Sequence, residues 1–200
     1  MQQTRKRLIR AAVAVSLVSL TFTAPMASAV DIGVGVSLNT QGGGDGGYGV
    51  SLPLRFGNIT VEPELSFYRS SRDRTYPSAP TNDFKAEYTQ YTLDTGIYWR
   101  QRVVPALETY VGGRIGYSKD KTSYMYPNSS GSNQSYVSSG FYLGPTLGAE
   151  YFFDKHFSLG LDVSLFYSST SSEDVYGSNT SKEDQNSLDY QTRARLRFYF

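Results

Sequence analysis

The chain ends in LDYQTRARLRFYF, residues 188–200, and the pattern of these thirteen residues indicates the kind of protein that the chain forms. Every second side chain is apolar or aromatic, with one threonine among them, and Arg193, Arg195 and Arg197 lie between them. Strict alternation of this kind indicates a β-strand with two unlike faces. A barrel wall in a membrane explains both faces, because lipid takes the apolar side and the lumen takes the charges. A one-residue slip would turn the arginines toward lipid, at roughly 2 to 4 kcal/mol for any near the midplane.

The N-terminus has the layout of a secretory signal peptide. Four basic residues are followed by an apolar run over residues 11–22 and then by Ala27, Ser28 and Ala29, an A-x-A cleavage site. We therefore predict a signal peptide over residues 1–29 and one domain over residues 30–200. Removing the signal leaves 15 basic and 18 acidic residues, which gives no reason to expect a nucleic-acid partner. Because the chain has no cysteine, disulfides and thiolate metal sites are excluded.

Seven further segments share the alternation of the C-terminal stretch. The eight predicted strands cover residues 30–38, 48–56, 59–70, 88–100, 107–118, 138–153, 157–167 and 188–200. Each is near the roughly 9 to 11 residues that a tilted strand needs to cross a bilayer. The fold class predicted is all-β, an up-and-down antiparallel transmembrane barrel of eight strands.

The connections between the predicted strands alternate in length. Long polar loops follow strands one, three, five and seven, including residues 71–87, 122–136 and 168–187, and short turns follow the others. Because long loops of outer-membrane barrels face outside and short turns face the periplasm, we expect both chain ends in the periplasm. Outward aromatic residues form two belts, one near the short turns (Phe56, Trp99, Phe153, Phe157, Phe198, Phe200) and one near the loops (Tyr48, Phe67, Tyr91, Tyr117, Phe141, Tyr167, Tyr190).

Three prolines lie inside the predicted strands. Pro53, Pro63 and Pro145 each lack the N–H that a neighbouring strand would accept, and a closed barrel has no free edge for them. We expect bulges or local breaks at these positions.

These features together resemble the small eight-stranded outer-membrane barrels of Gram-negative bacteria, a group that includes the OmpA-type, OmpX-type and opacity-like proteins. The resemblance covers the whole mature chain and implies a location in the outer membrane, surrounded by lipid and lipopolysaccharide. The terminal aromatic with alternating apolar positions looks like the signal that the barrel-assembly machinery recognises in its clients. Here the resemblance assigns that signal to Tyr190, Leu196, Phe198 and Phe200.

The polar faces of the strands bring charged residues into the lumen. The predicted network consists of Asp31, Arg55, Glu62, Glu64, Asp94, Glu108, Arg114, Glu150, Asp162, Arg193, Arg195 and Arg197. Eight strands enclose an interior just wide enough for side chains to fill, and a buried charge without a partner is costly. We therefore interpret these residues as a structural plug rather than as a pore lining or as acid and base catalysts. Inward glycines either make space for long side chains or leave a narrow cavity, and both readings stay open.

Catalytic chemistry is missing from the predicted wall. The barrels known to modify lipopolysaccharide place an essential histidine in the outer half, but the sole histidine here, His156, lies in a short turn. The carboxylates Glu173, Asp174, Glu183 and Asp184 cluster in the last loop without the spacing of a calcium loop. We expect no cofactor, no metal site and no enzyme.

The function predicted from the sequence is envelope structure or surface interaction, in which long extracellular loops meet an external ligand. A narrow porin-like channel is the alternative, and a lipid A-modifying enzyme is the third reading. A soluble exported barrel of lipocalin type is the remaining architectural rival, and it would have an apolar interior and a polar exterior.

Overall fold

The computed structural model describes residues 30–41, 46–74, 84–125, 134–176 and 179–200. The predicted signal peptide, with Ala27 and Ala29, lies outside the described residues. The strands are β1 Asp31–Gln41, β2 Gly46–Ser51, β3 Leu54–Phe56, β4 Ile59–Arg74, β5 Phe84–Val104, β6 Leu107–Met125, β7 Gln134–Phe152, β8 Phe157–Tyr176 and β9 Asn179–Tyr199. In the described part of the chain, no helix has the length and apolar character needed to cross a membrane.

The strands form one closed antiparallel wall. Each strand from β4 to β9 pairs with the next, and β9 pairs with β1, with Gly33 opposite Tyr199 and Gln41 opposite Gln191. Both β2 and β3 pair with β1 on one side and with β4 on the other, so they share one position in the wall. The ring therefore has eight members, which confirms the predicted antiparallel barrel.

The three prolines interrupt hydrogen bonding but leave the register unchanged. Pro53 separates β2 from β3, as expected, while β4 runs without a break through Pro63. The Pro63 carbonyl accepts a hydrogen bond from the Leu52 N–H, so Pro63 lies opposite the break between β2 and β3. The position where Pro63 lacks an N–H therefore faces this break. At Pro145 the pairing of β7 with β8 stops after Leu143 and resumes at Thr146. The prolines thus cause local breaks, with no shift in which residues face the lumen.

The wall is apolar outside and polar inside. Outward residues such as Leu93 and Leu147 are more than half exposed, whereas Glu62 is fully buried and Arg195 is 1% exposed. Four large hydrophobic side chains among the described residues are buried, and all four are aromatic and line the lumen: Tyr98, Tyr110, Phe166 and Tyr199. A soluble barrel of lipocalin type requires the opposite arrangement, so that rival interpretation is wrong.

Both predicted aromatic belts lie exposed on the outer surface. Neighbouring rings contact one another within them, for example Phe67 with Tyr91 at 5.2 Å between ring centroids. Trp99 and Tyr91 are eight residues apart on β5, and Phe157 and Tyr167 are ten apart on β8. With a rise of about 3.3 Å per residue and a tilt near 40°, the belts are roughly 20 to 25 Å apart, which matches the apolar band of membrane barrels.

One end of the barrel, here called the short-turn end, carries tight connections. Gly57 and Asn58 join β3 to β4, and Gly57 has φ of +62°, a left-handed conformation that glycine adopts without strain. Pro105 and Ala106 join β5 to β6, and residues 153–156 join β7 to β8. These short turns lie where the sequence predicted them.

The opposite end, here called the hairpin end, differs from the prediction. Residues 71–87, 122–136 and 168–187 were expected to be loops, but most of them continue the strands. Pairing extends to Arg74 opposite Phe84, to Tyr124 opposite Gln134, and to Tyr176 opposite Asn179. Beyond the second belt both faces of a strand meet water, so the apolar alternation ends while the backbone ladder continues. The described parts of these segments therefore form paired hairpins rather than loops, and residues 75–83 and 126–133 lie outside the described residues.

The wall is uneven at the hairpin end. The β1–β2 hairpin pairs only as far as Thr40 opposite Gly46, whereas the other three hairpins rise well above it. Pairing of β4 with β2 ends at Phe67, and pairing of β9 with β1 ends at Gln191. Within the described residues, the part of β4 after Phe67 and the part of β9 before Gln191 have no strand partner on the side that faces the β1–β2 hairpin. The wall therefore has a notch above that hairpin.

Candidate functional site

The candidate site is the lumen, where buried charges on β9 meet acids from other strands. Arg197 donates from Nε and Nη2 to the two carboxylate oxygens of Glu62, at 2.9 and 2.8 Å. Its Nη1 lies 3.0 Å from Oε2 of Glu150. Two parallel bonds between a guanidinium and a carboxylate are the strongest geometry for such a pair. Arg197 therefore ties β9 to β4 and β7 through the middle of the barrel.

Arg195 and Arg193 continue the same column toward the hairpin end, since alternate residues of a strand face one way. Arg195 pairs with Asp162 on the adjacent β8 and donates from Nη2 to Glu64 Oε2 at 3.2 Å. Arg193 donates to Asp94 Oδ2 at 3.2 Å, and its guanidinium lies 5.6 Å from the ring centroid of Phe166. Each arginine of β9 thus reaches an acid on a strand that is not its neighbour.

Two further arginines enter the lumen from β5 and β6. Arg114 pairs with Asp94, contacts Glu64 Oε2 at 3.1 Å, and donates from Nη2 to the hydroxyl of Tyr98 at 2.6 Å. Arg100 pairs with Glu150 and donates from Nε to Glu108 Oε2 at 3.1 Å. These contacts link the column on β9 to the opposite half of the wall.

Arg55 closes the network at the short-turn end. It donates to Glu108 Oε2 at 2.9 Å and lies over the rings of Phe152 and Tyr199, 5.4 Å from each centroid. Arg102 also reaches Glu108, at 3.0 Å, but its side chain is 66% exposed. Arg102 therefore belongs to the rim, and Arg55, with 14% of its side chain exposed, is the last member of the network.

The charges of the network balance. Within the described residues, the network consists of six guanidinium groups, of which only Arg55 is partly exposed, and six buried carboxylates: Arg55, Arg100, Arg114, Arg193, Arg195 and Arg197 with Glu62, Glu64, Asp94, Glu108, Glu150 and Asp162. Each carboxylate contacts at least one guanidinium, so no acid in this set is left as an unpaired buried charge, which would be costly. The interior is consequently filled by a neutral ion-pair network.

The network differs from the predicted set at two positions. Asp31 was expected in the lumen, but it is exposed at the start of β1, and in the described part of the chain it forms no ion pair. That expectation is wrong because the strand reaches the water at its first residue. Arg100 was missed, although the alternation through Asp94 and Tyr98 places it inward; the predicted strand ended there.

Uncharged side chains complete the hydrogen bonding of the acids. Ser37 donates to Glu64 at 2.7 Å, and Ser51 donates to Glu62 at 2.9 Å. Tyr142 donates to Asp94 at 2.5 Å. Alternation along the strands places these side chains on the inner face, but the acid that each one meets depends on how the strands are staggered around the ring.

Inward glycines make space for the large side chains of the network. A Cβ at Gly96 would collide with Tyr98, and a Cβ at Gly148 would collide with the ring of Tyr110. Of the two readings left open by the sequence, the structure supports the first at these positions: glycine leaves room for a tyrosine from the same or an adjacent strand.

The histidine and the acidic cluster of the last hairpin lie outside the network. His156 Nδ1 lies 2.7 Å from the carbonyl oxygen of Tyr199, and its ring stacks on Phe198 at the short-turn end. In the same turn, bonds from the backbone N–H groups of His156 and Phe157 hold the pKa of Asp154 below its usual value. Among the described residues, no group of three or more potential metal ligands is found. Glu183 and Asp184 are exposed on β9.

The residues assigned to the assembly signal lie on the outer face of β9. Tyr190, Leu196, Phe198 and Phe200 are all exposed, between 43% and 72%. Their role in assembly stays a prediction.

The sequence matches the family model described as the outer membrane protein beta-barrel domain over residues 11–198. No curated protein matches the sequence. The structure is similar to that of a major outer membrane protein from Thermus thermophilus, with 16% identity and a TM-score of 0.63 over 86% of this chain and 100% of that one.

Two other solved structures share the fold. The outer membrane protein OprG from Pseudomonas aeruginosa has 15% identity and a TM-score of 0.55, over 86% of this chain and 94% of that chain. The outer membrane protein AlkL, solved in DMPC lipid bilayers, has 14% identity and a TM-score of 0.53, over 90% and 97%. At these identities the likeness concerns the fold alone.

Proposed function

Because the chain belongs to the outer membrane protein β-barrel domain family, we propose that it is a closed, non-enzymatic barrel that presents its hairpin end to partners outside the cell. Family membership implies the outer membrane of a Gram-negative bacterium, where lipid surrounds the wall. Lipopolysaccharide around the hairpins, and the barrel-assembly machinery during insertion, are the further partners of this proposal.

The observation that carries the proposal is the neutral network in the lumen. A solute passing through would have to separate ion pairs such as Arg197 with Glu62, both at most 1% exposed. Breaking one buried pair costs several kcal/mol, and a passage would break several at once. The protein is therefore proposed to act through its surface rather than through a pore.

Tall hairpins provide that surface. Outward residues above the second belt are mostly polar or charged, including Arg69, Glu87 and Lys119, and the backbone that carries them is paired. A paired hairpin loses less conformational entropy on binding than a free loop does. Catalysis has less support, since His156 bonds to the backbone at the other end of the barrel.

The first prediction concerns conductance. Purified wild-type protein in planar bilayers is expected to give no reproducible open-channel steps, because the network closes the lumen. The double variant Asp162→Ala/Arg195→Ala removes one ion pair without changing the net charge, and we expect it to raise the conductance. Lys85→Ala/Glu87→Ala, which removes an exposed pair, is the matched control and should behave as wild type. Regular steps from the wild-type protein would favour the narrow porin-like channel instead.

The second prediction concerns orientation. The chain has no cysteine, so single-cysteine variants can be labelled without background. In intact cells, a membrane-impermeant maleimide is expected to label Ser171→Cys at the hairpin end and to leave Lys155→Cys at the short-turn end unlabelled. Both variants should react after the cells are broken. The reverse pattern would place the hairpins and any partner in the periplasm, and the proposed surface role would be abandoned.

A further inference from the structure

Above the network, toward the hairpin end, the lumen widens into a cavity of about 230 Å³, here called the vestibule. Its lining consists of Tyr88, Gln90, Thr92, Ser118, Asp120, Tyr142, Phe166, Ser168, Thr170, Ser187, Asp189 and Gln191. A smaller cavity of about 30 Å³ adjoins it, sharing Gln90, Thr92 and Gln191 and adding Asn39 and Arg193. At about 30 Å³ for each water molecule, the vestibule has room for roughly seven waters or for one sugar ring.

Some side chains that line these two cavities are at least nine-tenths buried and still have hydrogen-bonding atoms without a partner. Asn39 is 5% exposed, yet its Oδ1 has no hydrogen-bond partner. Arg193 is 1% exposed, and its Nε and Nη1 lie 3.9 Å from Glu64 and 4.0 Å from Asp162, too far for hydrogen bonds. Asp120 receives hydrogen bonds from Gln90 and Tyr88, but its Oδ1 is buried and has none. Buried polar atoms without partners are rare in folded proteins, so a ligand or ordered water is expected to satisfy them.

The unused atoms include both acceptors and donors. An ammonium group only donates hydrogen bonds, so it would leave the Arg193 N–H groups unpaired. A sulfate or phosphate only accepts, and Asp120 and Asp189 would repel it. A hydroxyl group both donates and accepts, which matches the two oxygens of Asn39 and Asp120 and the guanidinium of Arg193.

The remaining lining suits a ring that carries several hydroxyl groups. Hydroxyl and amide side chains surround the cavity on β5, β6, β8 and β9, and each of them can also donate and accept. Tyr142 and Phe166 lie edge to face in the same wall, 4.7 Å between ring centroids. Aromatic rings of this kind offer an apolar surface to the C–H face of a sugar, and a tyrosine also keeps a polar end.

We infer that the vestibule is a binding site for a neutral monosaccharide unit, free or at the end of a glycan. The inference deepens the proposed function by naming a ligand class, and it rests on that proposal only for the side of the membrane from which the sugar arrives. Asp120 and Asp189 accept from sugar hydroxyls, and Phe166 with Tyr142 packs against the ring. Arg193 lines the smaller adjoining cavity and donates to a hydroxyl that reaches it there.

The test uses the purified full-length mature protein in an amine-oxide detergent, which has no sugar head group. Saturation-transfer NMR would measure binding of D-glucose, D-galactose, D-mannose and N-acetyl-D-glucosamine, with 1,4-diaminobutane and inorganic sulfate as charged probes. At least one sugar is expected to bind with Kd below about 10 mM. If all four sugars fail, or if only the diamine or the sulfate binds, the inference is overturned.

A matched pair of variants locates the site. Ser168 faces the vestibule, where its hydroxyl lies 2.7 Å from that of Ser187, while the next residue, Ser169, is exposed on the outer face of the same strand. Ser168→Trp fills the cavity and is expected to raise the Kd of the sugar at least about tenfold, whereas Ser169→Trp should leave it unchanged. Equal binding by the two variants would overturn the inference.

A second variant keeps the test independent of the large substitution. Asp120→Asn preserves the shape but replaces one acceptor oxygen by a donor, and we expect it to weaken sugar binding about three- to tenfold. Heat-modifiable migration on a gel checks that each variant is folded. Because the measurement uses purified protein, its failure would leave the closed lumen and the orientation untouched, and those are tested separately by conductance and labelling.

Discussion

Replacing Glu62 with glutamine is expected to lower the free energy of unfolding by about 3 to 5 kcal/mol, the range for removing one partner of a buried ion pair. Glu62 is fully buried, and it accepts two bonds from Arg197 and one from Ser51. The amide of glutamine has nearly the same shape, but it carries no charge. Arg197 would keep Glu150, while the lumen as a whole would gain an uncompensated positive charge.

The measurement is urea unfolding in phospholipid vesicles, followed by the fluorescence of Trp99, the single tryptophan, which lies on the outer face. Glu87→Gln is the matched control. Glu87 also contacts two cations, Lys85 at 3.1 Å and Arg69 at 3.6 Å, but both cations are exposed. Exposed pairs contribute about 0 to 1 kcal/mol, so this variant should remain close to wild type. Equal losses for the two variants would contradict the role of the network.

A double-mutant cycle covers the case in which Glu62→Gln does not fold. In Glu62→Gln/Arg197→Gln both charges are removed together, so the lumen stays neutral. We expect the double variant to lose less stability than the two single variants added, since the second change removes the charge that the first left unpaired. Strict additivity would mean that the two groups act independently, despite separations of 2.8 and 2.9 Å.

Leu161→Arg is expected to cost about 2 to 4 kcal/mol, the range for a charge on the lipid face near the membrane midplane. Leu161 is 56% exposed on the outer face of β8, midway between Phe157 and Tyr167. Its neighbours across the strands are Ala149 and Ala194, which offer no carboxylate for the guanidinium. The arginine must therefore either meet acyl chains or distort the bilayer.

Ser171→Arg is the control for this variant. Ser171 is exposed on the same face of the same strand, but it lies beyond the aromatic belt, where water surrounds the hairpin. We expect a change below about 0.5 kcal/mol, as for ordinary surface substitutions. The same urea titration compares the two, and a harmless Leu161→Arg would show that the apolar band does not face lipid.

The alternation in residues 188–200 was sufficient to predict the direction in which each side chain of β9 points, and the same alternation in seven further segments predicted the closed antiparallel wall. It predicted the lumen positions because the period of a strand is two and the polar face must avoid lipid. The same alternation could not predict which acid pairs with which arginine inside the lumen. Glu62 and Arg197 are 135 residues apart, and their meeting depends on the stagger of strands around the ring.

The ends of the strands were predicted less accurately than the directions of their side chains. Arg100 was missed because the predicted strand stopped at that residue, one position past Trp99 in the aromatic belt, whereas β5 continues to Val104. The hairpins were predicted as loops for a related reason. Threonine and tyrosine keep their preference for strands when both faces are in water, but a polar segment has no hydrophobic period to detect. Hydrophobic periodicity therefore reports the part of the wall inside the membrane and underestimates its full height.

The position of the arginines on the last strand has a consequence for biogenesis. β9 supplies three of the six cations of the network, and their acids lie on β4, β5, β7 and β8. A nascent sheet that still lacks β9 carries six carboxylates against three guanidinium groups, so its concave side is negatively charged and cannot dehydrate at low cost. Water must then leave the interior at the same time as the seam between β1 and β9 closes. A chain truncated before β9 is therefore expected to form no partly assembled intermediate that is stably inserted in the membrane.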